Sequence, residues 1–213
     1  MATAPLRAPS VRNYSKLILW SIFALMGLAV FVLYDLSLFN PANPAHVRMG
    51  ANRLYLIPHI LTAVPTILIG PLQFSTRFRR RYLNVHRLLG RIYVVCVMIA
   101  APTSVGVGQY APGILRFAGL TQAVLWIALT YAAFFTARNG QIAQHRQWMV
   151  RSYGVGCTIF VLNRFIGLVP AFRNISPEQM SVNIMFFMLL SLALPSFYFG
   201  WHEITTWRAT AKT

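Results

Sequence analysis

LYLIPHILTAVPTILIGPLQF, residues 54–74, and VHRLLGRIYVVCVMIAAPTSVGV, residues 85–107, decide the fold. Crossing a hydrocarbon core takes about 20 residues of helix, and each run is that long. Between them lies STRFRRRYLN, residues 75–84, which carries Arg77, Arg79, Arg80 and Arg81. An apolar run, a basic connection and a second apolar run describe a hairpin of two membrane helices. Four more segments extend the pattern outward: Leu17 to Phe39, Ile114 to Thr136, Gln147 to Val169 and Val182 to Trp207. Short connections rich in turn residues join them, such as Asn40-Pro-Ala-Asn-Pro44, Ala111-Pro-Gly113 and Asn139-Gly140. The expectation is an all-α, polytopic bundle of six transmembrane helices, forming one domain over residues 1–213, with no internal repeat.

Composition points the same way. The chain has 213 residues, 57% of them hydrophobic, and a mean hydropathy of +0.57. Charged residues make up 10%, against about a quarter in soluble domains. The acidic residues are Asp35, Glu178 and Glu203. So few charges cannot clothe a water-facing surface, which excludes a soluble enzyme and a disordered tail. The net charge of +16 would suggest nucleic acid in a soluble protein. Here the basic residues sit between apolar runs, as in a membrane protein that sets its own topology. No nucleic-acid partner is expected. Anionic lipid headgroups are, because 17 of the 19 basic residues are Arg, whose planar fork suits phosphates.

The basic residues also set an orientation. Arg7, Arg12, Lys16, Arg77, Arg79, Arg80, Arg81, Arg87, Arg91, Arg138, Arg146, Arg151, Arg208 and Lys212 fall on one side, fourteen in all. Arg48, Arg53, Arg116 and Arg173 fall on the other. The positive-inside rule then puts both termini in the cytoplasm and the chain in the cytoplasmic membrane. The first segment is longer than the 7–15 residues of a signal core and no A-x-A site follows it. It reads as a retained helix. Cys96 and Cys157 sit inside apolar runs and read as buried free thiols.

Depth sorts the five histidines. His86 and His145 both open helices at the cytoplasmic side, while His59 lies about five residues into the second helix from the other side. His202 falls near the inner end of the last helix, and His46 in an outer loop. From His59 to Phe74 is about 22 Å of helix, so His59 cannot share a metal with His86. His86 and His145 converge if the third and fifth helices are neighbours, and they would then be axial ligands for a haem b between two bundle helices. Gly90 lies one turn deeper than His86 and leaves room for a flat macrocycle, with Tyr93 following. Arg87, Arg91 and Arg151 stand where propionates would need cations. The plainer reading keeps these residues among lipid headgroups, with Trp148 and Tyr153 in the aromatic belt. A quinone or lipid pocket is a third.

His59 shares a small, polar helix face with Ala63, Thr66, Gly70 and Gln73. That face suits either close helix packing or an outer cofactor or quinone site. Arg164 lies at a similar depth in the fifth segment. Intramembrane charge is costly and usually faces a cavity, unless the side chain snorkels to the surface. Asn163 and Gln122 add polarity inside the membrane.

Three stretches carry a family likeness: Pro58-His59-Ile-Leu-Thr-Ala63 through Gly70-Pro-Leu-Gln-Phe74, His86-Arg-Leu-Leu-Gly-Arg91-Ile-Tyr93, and His145-Arg-Gln-Trp-Met149-Val-Arg151-Ser-Tyr153. Over about residues 54–168 they resemble a family of predicted polytopic membrane proteins of unknown function found in bacteria and fungi. The resemblance implies a four-helix core with the first and sixth helices as additions, and it implies no activity. Matching positions are His59, His86, Arg87, Gly90, Arg91, His145, Met149, Arg151 and Arg164. The architecture is loosely similar to membrane b-type cytochromes, but a single intramembrane histidine on the outer side disfavours a second bis-histidine haem.

Motifs for phosphate binding, dinucleotide binding, redox dithiols and serine nucleophiles do not occur. An intramembrane carboxylate pair is also missing, which leaves histidine as the main proton-handling group. The leading expectation is a membrane redox protein with haem b on His86 and His145, exchanging electrons with a quinone or a partner subunit. Two alternatives are a non-catalytic accessory subunit packing against a larger membrane complex, and a small-molecule or lipid transporter with a cavity at His59 and Arg164; the expected partners are a larger membrane complex or further copies of the chain in a homo-oligomer.

Overall fold

The structure is a computed structural model that describes residues 11–36, 40, 45–167, 170 and 175–210. Side chains of residues 45–51 and 201–210, His46 and His202 among them, lie outside the described set, as do Arg7, Arg173, Lys212 and the ends of the first and fifth predicted segments.

Every regular element among the described residues is helical. In chain order they are α1 (Val11–Val30), which continues as a π-helical turn at Phe31–Asp35, α2 (Ala45–Phe74), α3 (Thr76–Arg81), α4 (Leu83–Val107), α5 (Gly113–Arg138), α6 (Ile142–Tyr153), a π segment at Gly154–Thr158, α7 (Ile159–Ile166) and α8 (Pro177–Thr210). Four stretches are long and apolar enough to cross a membrane: Asn52–Phe74, Leu83–Val107, Gly113–Arg138 and Pro177–Gly200. A shorter apolar helical stretch runs over Ser21–Leu33. The fifth predicted segment is α6, the π segment and α7 joined end to end. Its apolar run is split because α6 is largely polar and the ladder changes pitch at Gly154.

Two features differ from the apolarity pattern. His46, placed in a loop by its polarity, falls in the first turn of α2. The basic stretch after α2 folds as α3, with the Ser75 hydroxyl accepting from the Phe78 N–H at 3.2 Å. Backbone hydrogen bonding needs no apolar side chains, so helices run on past the hydrophobic stretch that reveals them.

α2 packs on α4, α4 on α5, α5 on α6, and α8 on α5, α6 and the π segment. The ring closes where Tyr153, at the end of α6, reaches α2. Its hydroxyl donates to the Ile67 carbonyl at 2.9 Å. That carbonyl is the one Pro71 frees, because proline has no N–H to return to residue i−4. Such repairs are how membrane helices carry proline. Gly70 makes the approach possible, since a Cβ there would lie within the Tyr153 ring. Phe23 and Phe74 meet the same ring edge-on, with centroids 5.8 and 5.5 Å away. α4 and α6 thus stand on one diagonal of a four-helix core, with α1 against α2 and α7.

The core holds a polar knot as well as Val97, Ala100, Ala133 and Val161. Tyr93 Oη and Thr130 Oγ1 lie 3.0 and 2.7 Å from Ser152 Oγ, and the Trp126 indole N–H points at Tyr93 Oη at 3.4 Å. The outer surface is the reverse: Leu54, Leu61, Val95, Phe117, Leu189 and Phe197 are exposed. An apolar outside around a satisfied polar centre is what a hydrocarbon solvent selects.

Candidate functional site

The bundle offers histidine at both ends. At the α3 end, His86 follows from the start of α4 and His145 from the first turn of α6, and each is half-buried. His86 lies in the electrostatic reach of Arg79, of the His145 ring and of Arg87. His145 Nδ1 lies 2.8 Å from the Ala133 carbonyl on α5. A carbonyl only accepts, so Nδ1 carries a proton, and in the neutral ring Nε2 is the atom with the lone pair. Gln73 reaches this end from α2, with its Oε1 beside Gly90. Its amide nitrogen and His86 Nδ1 are buried and lack hydrogen-bond partners among the described residues. Buried polar atoms are normally paired, and these two are exceptions at the same end of the bundle.

Of the arginines predicted for this end, Arg87 and Arg91 are exposed on α4. Arg151 is partly buried, donates to Ser196 Oγ at 3.0 Å and lies over the Trp148 ring at 5.4 Å. Met149, on the His145 face, is buried in the core.

At the opposite end His59 stands about 21 Å along the bundle from His86, by the rise of fourteen helical residues. Its Nδ1 lies 2.9 Å from the Ala100 carbonyl on α4, so it is held in the same way as His145. It borders a cavity of about 150 Å³ together with Ala63, Thr66, Ser104, Gln122, Trp126 and Cys157. The small face of α2 therefore divides. Ala63 and Thr66 line the cavity, Gly70 receives Tyr153, and Gln73 joins the far end. Arg164 is exposed, lies over the Phe160 ring at 5.5 Å and is felt electrostatically at His59. The structure thus puts His86 and His145 at the same end of the bundle, sets His59 at the other, and places Arg164 outside the cavity wall.

Sequence reasoning missed the knot of Trp126, Thr130 and Ser152, the Tyr153 anchor and the π segment. Pro71 was a usable signal, because a proline inside a membrane helix announces a carbonyl in need of a donor. In the π segment Gln122 Nε2 donates to the Val155 carbonyl at 2.9 Å. Isolated π turns displace carbonyls from the regular ladder and occur often at functional sites. Gly156 lets the Trp126 ring lie flat against this turn, where a Cβ would collide with it. Cys96 and Cys157 are buried and free, and Cys157 Sγ points at Thr66 Oγ1 at 3.5 Å. No group of three or more His, Cys, Asp or Glu that could hold a metal occurs among the described residues.

A family described as "Predicted membrane protein (DUF2306)" matches residues 56–199. No curated protein and no solved structure matches the chain.

Proposed function

We propose, for a chain that belongs to the DUF2306 family of predicted membrane proteins, an electron-transfer role in which His86 and His145 hold haem b between diagonal helices of the core. One observation supports the reading: two imidazoles lie at the same end of the bundle within electrostatic reach of each other, and one of them is pinned by its Nδ1–H, which in the neutral ring leaves Nε2 as a free lone pair. Metal-ligating histidines are oriented in this way. What supports the group is the chemistry of the residues: two imidazole nitrogens as donors, a glycine at position 90 with the Gln73 amide beside it, and Arg87, Arg91 and Arg151 as cations for carboxylates. Bound there, the haem would supply reversible one-electron chemistry. The protein's own part is to fix the imidazoles, exclude water with Tyr93 and Met149, and neutralise the propionates.

The same reading takes α1 and the α6–α7 pair as the remaining two spans of a six-helix protein of the cytoplasmic membrane, with both termini inside and basic α3 against anionic headgroups. Electrons would pass to a quinone or a partner subunit. A visible spectrum of the purified protein tests the central claim. Soret and split α/β bands at one haem per chain are expected, and protein purified without stoichiometric haem rules the role out. A periplasmic reporter fused after Thr213 is expected to be silent, and activity there reverses the orientation.

A further inference from the structure

The cavity at His59 lies at the other end of the molecule from the proposed haem, and its hydrogen-bonding account can be drawn up atom by atom. The Thr66 hydroxyl donates to the Ala63 carbonyl at 2.6 Å and the Ser104 hydroxyl to the Ala101 carbonyl at 2.6 Å. The Cys157 thiol is directed at Thr66 and the Trp126 N–H at Tyr93. Gln122 uses one amide hydrogen on Val155. His59 has given its Nδ1–H to Ala100, and no carboxylate lines the cavity to balance an imidazolium. What remains toward the cavity is the His59 Nε2 lone pair, two hydroxyl oxygens, the Gln122 Oε1 and a single Gln122 N–H. The lining is rich in acceptors and nearly without donors.

An occupant must therefore bring its own O–H or N–H, since a buried acceptor left unmet costs more than an unmade bond in water. It must also be uncharged. No acidic group awaits a cation, and an anion would face a wall of acceptors with one spare amide N–H. Size and shape complete the description. A cavity of about 150 Å³ accepts one benzene ring, and this one measures about 150 Å³. Its wall includes the flat Trp126 and Gly119, where a Cβ would meet nothing within 4 Å.

We infer that this cavity binds the head of an uncharged hydroxylated aromatic ring, a phenol or hydroquinone, with its O–H donated to His59 Nε2 and its oxygen accepting from Gln122. The inference does not rest on haem, and it holds or fails with the cavity alone. Such a ring reaches the site dissolved in the lipid, as the apolar outer surface requires.

Fluorine NMR on protein in nanodiscs, with empty nanodiscs subtracted for partitioning, provides the test. The probes are 4-fluorophenol and 4-fluoroanisole, which share a ring and differ in the O–H. Wild-type protein is expected to bind the phenol about tenfold more tightly, the scale of one buried hydrogen bond. His59→Ala is expected to erase that preference while anisole binding persists. Gly119→Leu, which grows into open space and so leaves the fold intact, is expected to abolish binding of both. Equal affinity for the two probes in wild-type protein, no binding of either, or phenol binding that survives Gly119→Leu would each overturn the assignment.

Discussion

The two ends of the bundle use one device and reach different outcomes. His59 and His145 each give Nδ1–H to a backbone carbonyl of the neighbouring helix, Ala100 in one case and Ala133 in the other. Around His59 the hydroxyls have already spent their protons inside their own helices, and a measured space remains. Around His145 there is a second histidine, and two buried polar atoms are still unmet. A pinned imidazole is thus only a lone pair held at a known place. The neighbours differ: a cavity lined by acceptors lies beside His59, and a second imidazole lies at the His145 end.

The largest test of that contrast is all-or-none. His86→Ala and His145→Ala are each expected to remove the haem absorbance of the purified protein, and His59→Ala to leave it in place. Loss of the bands in the His59 variant would mean the ends are not separate. Next in size is Gly70→Val, which sets a side chain inside the Tyr153 ring. Overpacking of this kind costs about 1–3 kcal/mol, and a lowered thermal midpoint with damage at both ends is expected, because Tyr153 closes the ring of helices between them.

Tyr153→Phe should cost less, about 1–2 kcal/mol for one orphaned carbonyl. Its cause can be isolated. Pro71→Ala returns an N–H to the Ile67 carbonyl, so in that background Tyr153→Phe is expected to be nearly neutral, and a double-mutant cycle in thermal unfolding reads the coupling. A full cost in both backgrounds would show that Tyr153 matters for packing alone. Smallest is Arg164→Lys. Arg164 is exposed and outside the cavity wall, so a change within about 0.5 kcal/mol is expected, with 4-fluorophenol affinity unaltered. A clear loss of affinity would extend the His59 site to the surface.

Much of the fold was legible because hydrocarbon imposes a length and a composition. The expected runs 54–74, 85–107 and 114–136 correspond to spans Asn52–Phe74, Leu83–Val107 and Gly113–Arg138. Helix outside the apolar stretch was not legible, as with α3 and the start of α2, since nothing in hydropathy separates a polar helix from a polar loop. The break after Tyr153 was hidden too, because Gly154-Val-Gly-Cys-Thr158 is as apolar as an unbroken helix. For the sites, depth alone grouped His86 with His145 and separated His59. It could not show which carbonyl each ring would hold, nor that the hydroxyls near His59 would turn inward. Those facts depend on which helix stands beside which. Arg164 shows the same limit, since rotation about the helix axis decides whether a residue at the right depth faces a cavity or the surroundings.

The π segment also bears on how the stretch from α6 to α7 changes over generations. A five-residue turn holds one residue more than an α-helix of the same rise, so the chain beyond Thr158 is advanced in phase by about 100° relative to α6. Losing one residue anywhere in Gly154–Thr158 would regularise the ladder without breaking it. It would swing Phe160 away from the cavity wall and carry Arg164 to another side of the bundle, while Tyr93, Ser152 and Tyr153 kept their places. The wall of the His59 cavity can therefore be redrawn by a single codon deletion that leaves the His86 and His145 end in place.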